Sequence, residues 1–196
     1  MRKLGLMGTV LIVGITGCSQ NSQMSMDPMQ RPDLAPELAQ LNRFVGEWEG
    51  RAEMVEPSYE EMQASMPEGE EMPKYFMGAE SNEWTLGGRC LRTTSWREMG
   101  PGQRANYEGM MTWDPKDQVY KVWWFGDWGD RATGTMTWDE EAKTFHMEVK
   151  GIDGHGQKGR GEGTMKFLSD DTVEWTWTEK GPMGTMKLKG MNKRVR

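Results

Sequence analysis

The sequence predicts an all-β protein, a sandwich or a barrel, built from about ten short strands. Three observations predict this class. Apolar and polar residues alternate with a period of two in one segment after another, which is typical of strands with one buried face. Turn-forming residues separate these segments about every dozen residues. No long stretch of helical periodicity falls between them, which argues against alternating strands and helices.

The chain begins with the pattern of a secretory leader. Arg2 and Lys3 precede an apolar stretch from Leu4 to Ile15, which is too short to span a bilayer. The stretch leads into Ile-Thr-Gly-Cys, which resembles a bacterial lipobox, the motif whose cysteine is acylated and becomes the mature N-terminus. We therefore predict that residues 1–17 are a lipoprotein signal peptide and that Cys18 carries the anchoring lipid. An ordinary secretory leader cut nearby is the alternative.

The predicted location is the cell envelope, outside the cytoplasm. Ser19 and Gln20 follow Cys18, and the lack of an aspartate there favours an outer-membrane destination. The formal net charge of the whole chain is -6, and removal of Arg2 and Lys3 with the leader lowers it to -8. This charge argues against nucleic acid as a partner, and it leaves the lipid as the predicted membrane contact.

A polar segment separates the lipid from the folded domain. Residues 18–35 lack apolar periodicity, so we predict that they form a flexible tether. Near its end, Asp33 is placed to cap a short helix that runs through Pro36 to Leu41, with Leu38 and Leu41 on one face.

Residues 36–196 are predicted to form one β domain. The alternation is clear at Trp175 and Trp177, which are flanked by polar neighbours. A shift of one residue in strand register would turn both indoles outward, so the pattern also fixes the register. Strands are predicted near residues 47–55, 75–86, 88–98, 104–113, 118–125, 131–138, 143–150, 159–168, 172–179 and 184–192.

Residues 56–73 interrupt the alternation with an acidic, methionine-rich insertion. Within it, Tyr59, Met62 and Met66 share helical spacing, which predicts a short helix. The insertion is either a solvated loop or a lid over the mouth of the domain.

Several motifs, in this order, resemble those of one family. The segment Leu-Asn-Arg-Phe-Val-Gly-Glu-Trp-Glu-Gly at 41–50 is similar to the opening of many calycin-like barrels, and Trp-Thr-Leu-Gly-Gly-Arg-Cys-Leu at 84–91 is similar to the segment that follows it. The ordered series over residues 37–194 resembles the DUF1579 family of uncharacterised bacterial proteins. This resemblance implies an antiparallel up-and-down barrel, related to lipocalins and fatty-acid-binding proteins. It implies no established activity.

A barrel of about ten strands can hold a ligand in its interior. The alternation turns most of the large aromatic residues inward, and five of them are predicted to contact the ligand: Trp84, Trp113, Trp124, Trp175 and Trp177. We expect a small apolar or aromatic molecule. The alternative is a solid barrel, filled by the same rings, that serves as a structural or interaction lipoprotein.

Four arginines offer a charged anchor for a ligand carboxylate: Arg89, Arg92, Arg97 and Arg104. An arginine inside the barrel would need a carboxylate from the protein or from the ligand. We therefore expect Arg92 to be solvated or paired on the outer face.

No metal, cofactor or catalytic site is predicted. Some related barrels bind haem through a histidine near the last strands, but residues 173–196 contain none. His146 alternates with apolar neighbours and is expected to face water, and His155 lies in a glycine-rich loop. The chain has no nucleophile elbow, no metal-binding His-Glu pair and no phosphate loop, so we predict a binding protein rather than an enzyme.

Overall fold

The computed structural model describes residues 33–65, 68–69, 71, 73–100, 102–182 and 184–196. Residues Leu34–Arg196 form one compact unit. The predicted leader, the lipidation site Cys18 and almost all of the predicted tether lie outside the described residues. Among the residues described, no helix combines the length and the apolar character that crossing a membrane requires.

Within the described residues, ten strands form a closed antiparallel barrel, which confirms the predicted fold class. Each strand pairs with its neighbours in sequence, and β1 pairs with β10 to close the barrel. The strands are β1 (Gly46–Glu56), β2 (Phe76–Thr85), β3 (Cys90–Gly100), β4 (Gln103–Asp114), β5 (Val119–Gly126), β6 (Arg131–Asp139), β7 (Thr144–Ile152), β8 (Lys158–Ser169), β9 (Thr172–Gly181) and β10 (Gly184–Arg194). The predicted strand limits agree with these bounds to within a few residues.

Alternate residues of the strands point into the barrel, and their cross-strand partners form rows on the inner face. One row leads from Trp113 through Tyr120, Met136 and Met147 to Gly163. Tyr120 and Met136 are almost fully buried. The two-residue period of the sequence therefore identifies which residues of each strand face the interior.

A 3₁₀ helix, Pro36–Phe44, closes one end of the barrel. Its apolar face carries Leu38, Leu41 and Phe44, which are all buried. The ring of Phe44 packs on that of Phe145 with their centroids 5.0 Å apart, so the helix completes the hydrophobic core at this end.

The predicted cap of this helix is wrong. The residue that precedes the helix is Ala35 and not Asp33, and no side chain bonds to the first backbone N–H groups. Pro36 lies in the first turn and has no N–H, which reduces the number of backbone donors that need a cap.

Side chains of the barrel wall and of the helix hold the two together through hydrogen bonds. Trp48 Nε1 donates to Phe44 O at 2.7 Å, Trp84 Nε1 donates to Asn42 Oδ1 at 2.7 Å, and the Tyr120 hydroxyl donates to Glu37 O at 2.8 Å. Burial raises the pKa of Tyr120 to about 12, so this hydroxyl keeps its proton at any physiological pH.

We expect Tyr120→Phe to lower the free energy of unfolding by about 1 kcal/mol, the usual net value of one such hydrogen bond. The phenyl ring remains in place, but the carbonyl of Glu37 loses its donor. Urea unfolding measures the change, with Tyr75→Phe as the control because Tyr75 is 37% exposed. Equal losses in the two variants would contradict this role of the hydroxyl.

A second helix, α1 (Tyr59–Ala64), lies in the insertion and confirms the helix predicted there. The Ser58 hydroxyl accepts the Glu61 N–H at 3.2 Å, and the Glu61 carboxylate accepts the Ser58 N–H at 2.7 Å. This reciprocal pair is a capping box, which fixes the start of the helix. No residue of α1 is buried, as expected for a solvated insertion.

Candidate functional site

The five indoles predicted to contact a ligand all lie on the inner face of the barrel, because each shares a row with other inward residues. Two of them already make contacts at the end of the barrel that the 3₁₀ helix closes. Trp84 donates to Asn42 in the 3₁₀ helix, and the ring of Trp113 packs edge-on against Tyr120 with their centroids 5.0 Å apart. Both indoles therefore stabilise the junction of helix and barrel.

Trp124 and Trp177 lie beyond the closed end, against glycines of neighbouring strands. A Cβ on Gly109 would come within 2.5 Å of the Trp124 ring, and a Cβ on Gly161 or Gly163 would overlap the Trp177 ring. The missing side chains let both indoles lie close against the barrel wall. Neither indole N–H has a hydrogen-bond partner among the described residues.

Trp175 differs from these two indoles. Its ring covers Gly190, and its Nε1 donates to Asn192 Oδ1 at 2.9 Å. The indole is held by neighbours within the wall, so its polar atom is already used.

One inner row is largely polar and runs obliquely from the closed end toward the far end, opposite the 3₁₀ helix. It begins at Trp48, which bonds to the helix, and crosses β2 to β5 at Glu80, Ser95, Tyr107 and Gly126. Three adjacent strands thus present a carboxyl, a hydroxyl and a phenol to the interior.

The place in this row at Gly126 is filled by a side chain from the loop between β5 and β6. The carboxylate of Asp130 lies where a Cβ of Gly126 would stand, so it continues the row on the inner face. Only a glycine leaves room for the carboxylate there. Asp130 therefore lies next to Tyr107, which is the cross-strand partner of Gly126.

Glu80 is partly buried within this row. Burial raises the pKa of its carboxyl above the ordinary value of 4.5, and it outweighs the opposing effects of the Arg97 guanidinium and the Asn82 amide. Asn82 Nδ2 donates to Glu80 Oε1 at 3.4 Å, and the Thr93 hydroxyl donates to Asn82 Oδ1. These contacts fix the carboxyl inside the barrel.

Groups on opposite sides of the barrel shift the pKa of the Tyr107 hydroxyl. Burial raises the pKa of its hydroxyl, and the carboxylates of Asp130 and Glu179 add to that effect. The Arg97 guanidinium, 5.4 Å from the ring centroid, opposes it. Glu179 belongs to β9, directly across the barrel from β4, and lies 3.8 Å from the Cβ position of Gly159. Both side chains therefore face the same interior space.

Six residues thus converge from β2, β3, β4, β9 and the β5–β6 loop, and we call them the lumen site: Glu80, Ser95, Arg97, Tyr107, Asp130 and Glu179. Two of their oxygens, Ser95 Oγ and Asp130 Oδ1, are buried without a hydrogen-bond partner among the described residues. An unpaired buried polar atom costs about 1–3 kcal/mol. These unpaired groups distinguish the site from the rest of the described barrel interior, where buried polar groups have partners.

We expect Glu80→Gln to stabilise the protein more at about pH 7 than at about pH 4. The raised pKa means that the folded state holds the proton more tightly than the unfolded state. This contribution to stability is complete below 4.5 and is lost as the pH rises through the folded-state value. Glutamine does not ionise, so the gain should grow across that window.

Urea unfolding at several pH values measures this gain. The matched control is Glu108→Gln, which makes the same change on the outer face beside Arg92. A gain from Glu80→Gln that does not depend on pH would show that burial of the charge is not the cause.

Two of the four arginines lie on opposite faces of β3. Arg92 Nη2 lies 3.0 Å from Glu108 Oε1 on the outer face, which confirms the expected external pairing. Arg97 lies inside the barrel. Glu80 was not among the residues predicted for the site, although it precedes Trp84 by four residues on one strand and so shares its inner face.

Both histidines are exposed to solvent. His146 is exposed, as predicted, and His155 is exposed in the loop between β7 and β8. Across the described part of the chain, no three His, Cys, Asp or Glu side chains are grouped as ligands for a metal ion.

No family model matches this chain, so the resemblance to DUF1579 stays a prediction. No curated protein matches it either. Among solved structures, the chain is similar to the crystal structure of Rv2717c from M. tuberculosis, with a TM-score of 0.60 and 14% identity over 84% of this chain and 100% of that one. This likeness supports the barrel fold.

Two further solved barrels share less of the geometry. One is a redesigned β-barrel, b11L5F_LGL, with a TM-score of 0.41 and 10% identity over 79% of this chain and 94% of that one. The other is EF1p2_mFAP2b bound to DFHBI, with a TM-score of 0.44 and 10% identity over 80% of this chain and 98% of that one.

Proposed function

We propose that this protein binds a small molecule with an apolar or aromatic body in the far half of its barrel. The observation that carries the proposal is a contrast along the inner face. At the closed end, the inward indoles of Trp48 and Trp84 donate their N–H groups to the 3₁₀ helix, whereas Trp124 and Trp177 are partly accessible and their N–H groups have no partner among the described residues. Accessible aromatic surface inside a barrel is typical of a ligand pocket.

The two accessible indoles suit an aromatic or aliphatic guest. Each presents one face to the interior because its other face lies against glycine. Flat aromatic walls contribute most of their binding energy through burial and ring contact. Their N–H groups and the partly exposed side chains of Tyr107, Asp130 and Glu179 add a few polar contacts that would orient the guest.

We further propose that the barrel works at the surface of a membrane in the cell envelope. The support for this is the leader and the lipobox-like motif at Cys18, followed by a polar segment. A lipid anchor would hold a ligand-binding barrel close to the bilayer, where apolar molecules are concentrated. We assign no catalytic step to the lumen site.

A titration with a neutral solvatochromic naphthalene dye tests the binding proposal. We expect saturable binding, with Trp177→Ala weakening it about tenfold, the equivalent of one lost aromatic contact. The matched control is Trp123→Ala, because Trp123 is 36% exposed and lies on the outer face beside the inward Trp124. Absence of binding, or equal effects of the two substitutions, would favour a solid barrel with a structural role.

A further inference from the structure

We propose that the ligand carries a protonated amine, which the lumen site binds between Asp130, Tyr107 and Glu179. This inference rests on the proposed function, because it specifies the polar group of the molecule that the barrel binds. The four arginines in the sequence offered an anchor for a ligand carboxylate, and a ligand amine takes its place in this proposal.

The first argument is the balance of charge inside the barrel. Three carboxyl groups, those of Glu80, Asp130 and Glu179, share the site with one guanidinium, that of Arg97. Glu80 contributes a neutral or a negative group, and in either case the carboxylates of Asp130 and Glu179 outnumber the cation. A bound cation therefore lowers the electrostatic free energy of the site, and a bound anion raises it.

The second argument is the kind of hydrogen bond that is missing. Asp130 Oδ1 is an acceptor with no donor, and Ser95 Oγ is also unpaired among the described residues. An ammonium group offers three donors and no acceptor. It can therefore pair with the carboxylates of Asp130 and Glu179 without leaving a polar atom of its own unmatched, and a carboxylate cannot.

The third argument is the aromatic surface beside the carboxylates. The inner face of Tyr107 continues along β4 to Gly109, which the ring of Trp124 covers. The Arg97 guanidinium already lies 5.4 Å from the Tyr107 centroid, within the range of a cation–π contact. Arg97 therefore already engages the Tyr107 ring, and the adjacent indole of Trp124 offers aromatic surface to the ligand cation and to its apolar body.

The residues on the two sides of the site differ in their exposure to solvent. Asp130 and Tyr107 are partly buried, whereas Glu179 is exposed at the far end. The amine would therefore pass Glu179 before it reaches Asp130. We assign to Asp130 the larger share of the binding, because hydrogen bonds to a charged group gain strength where water is scarce.

Isothermal titration with three ligands of one carbon skeleton tests the inference: 3-phenylpropylamine, 3-phenylpropan-1-ol and 3-phenylpropionate. We expect the amine to bind roughly tenfold more tightly than the alcohol, as for a charged hydrogen bond, and the carboxylate to bind most weakly. Asp130→Asn should remove the preference for the amine and leave alcohol binding unchanged. Glu179→Gln should reduce the preference, which provides a second variant at an exposed position.

The control is Glu108→Gln, which removes one negative charge from the outer face of β4 and should leave all three affinities unchanged. Equal affinity for amine and alcohol, or tightest binding of the carboxylate, would overturn the inference and leave the proposed function standing. No binding of the three ligands, together with no binding of the neutral dye, would overturn both. A preference for the amine that survives in Asp130→Asn and Glu179→Gln would also overturn this assignment.

Discussion

Phe145→Ala is expected to lower the free energy of unfolding by about 3–5 kcal/mol, the usual cost of truncating a fully buried phenylalanine. Phe145 has no exposed surface. Its ring centroid lies 4.6 Å from that of Trp138, 5.0 Å from that of Phe44 and 5.5 Å from that of Tyr120. Truncation would leave a cavity where the 3₁₀ helix meets the barrel wall, and strands closed into a ring cannot easily collapse to fill it.

Urea unfolding followed by far-UV circular dichroism measures this loss. Most domains are stable by only about 5–15 kcal/mol, so the variant should unfold at a much lower urea concentration. The control is His146→Ala, because His146 is the next residue of β7 and is exposed on the outer face. A loss below that of the control would mean that the closed end does not hold the core of the barrel.

Cys18→Ser is expected to move essentially all of the protein from the membrane fraction to the soluble fraction. The proposed anchor is the only membrane contact that the account assigns, and a protein without acyl chains loses that attachment. The barrel itself should remain folded, because Cys18 precedes its first residue by a long polar segment. Fractionation with immunoblotting, and mass spectrometry of the mature N-terminus, measure both effects.

The second cysteine provides the control for this experiment. Cys90 begins β3, is partly buried and is free. Cys90→Ser should leave the membrane distribution unchanged. Persistence of the Cys18→Ser variant in the membrane pellet, or release of the Cys90→Ser variant, would contradict lipid anchoring through Cys18.

Which residues of a strand share one face could be predicted from the sequence, because the alternation of side chains is a local property. Trp175 and Trp177 are separated by one polar residue, and a strand must place both on one face. The burial of Leu38 and Leu41 was also predictable, from their spacing. The start of that helix was not, because the proline in its first turn, rather than a side-chain cap, sets it.

The lumen site depends on contacts that no local pattern contains. Glu80 has the inward spacing of Trp84, but a glutamate on a strand is usually assigned to water, and only its cross-strand partners Trp48 and Ser95 show that it enters the barrel. Asp130 reaches the inner row from a loop, through the space that Gly126 leaves. Register and loop path are tertiary properties, and they decide which polar groups enter the barrel.

The location of a bound ligand tests the central claim most directly. Crystals of the protein soaked with 4-bromobenzylamine would give an anomalous signal from the bromine. We predict a bromine peak inside the barrel between Trp124 and Trp177, with the amine directed toward Asp130. A barrel interior without such a peak, or a peak confined to the outer face near Phe125, would contradict the account.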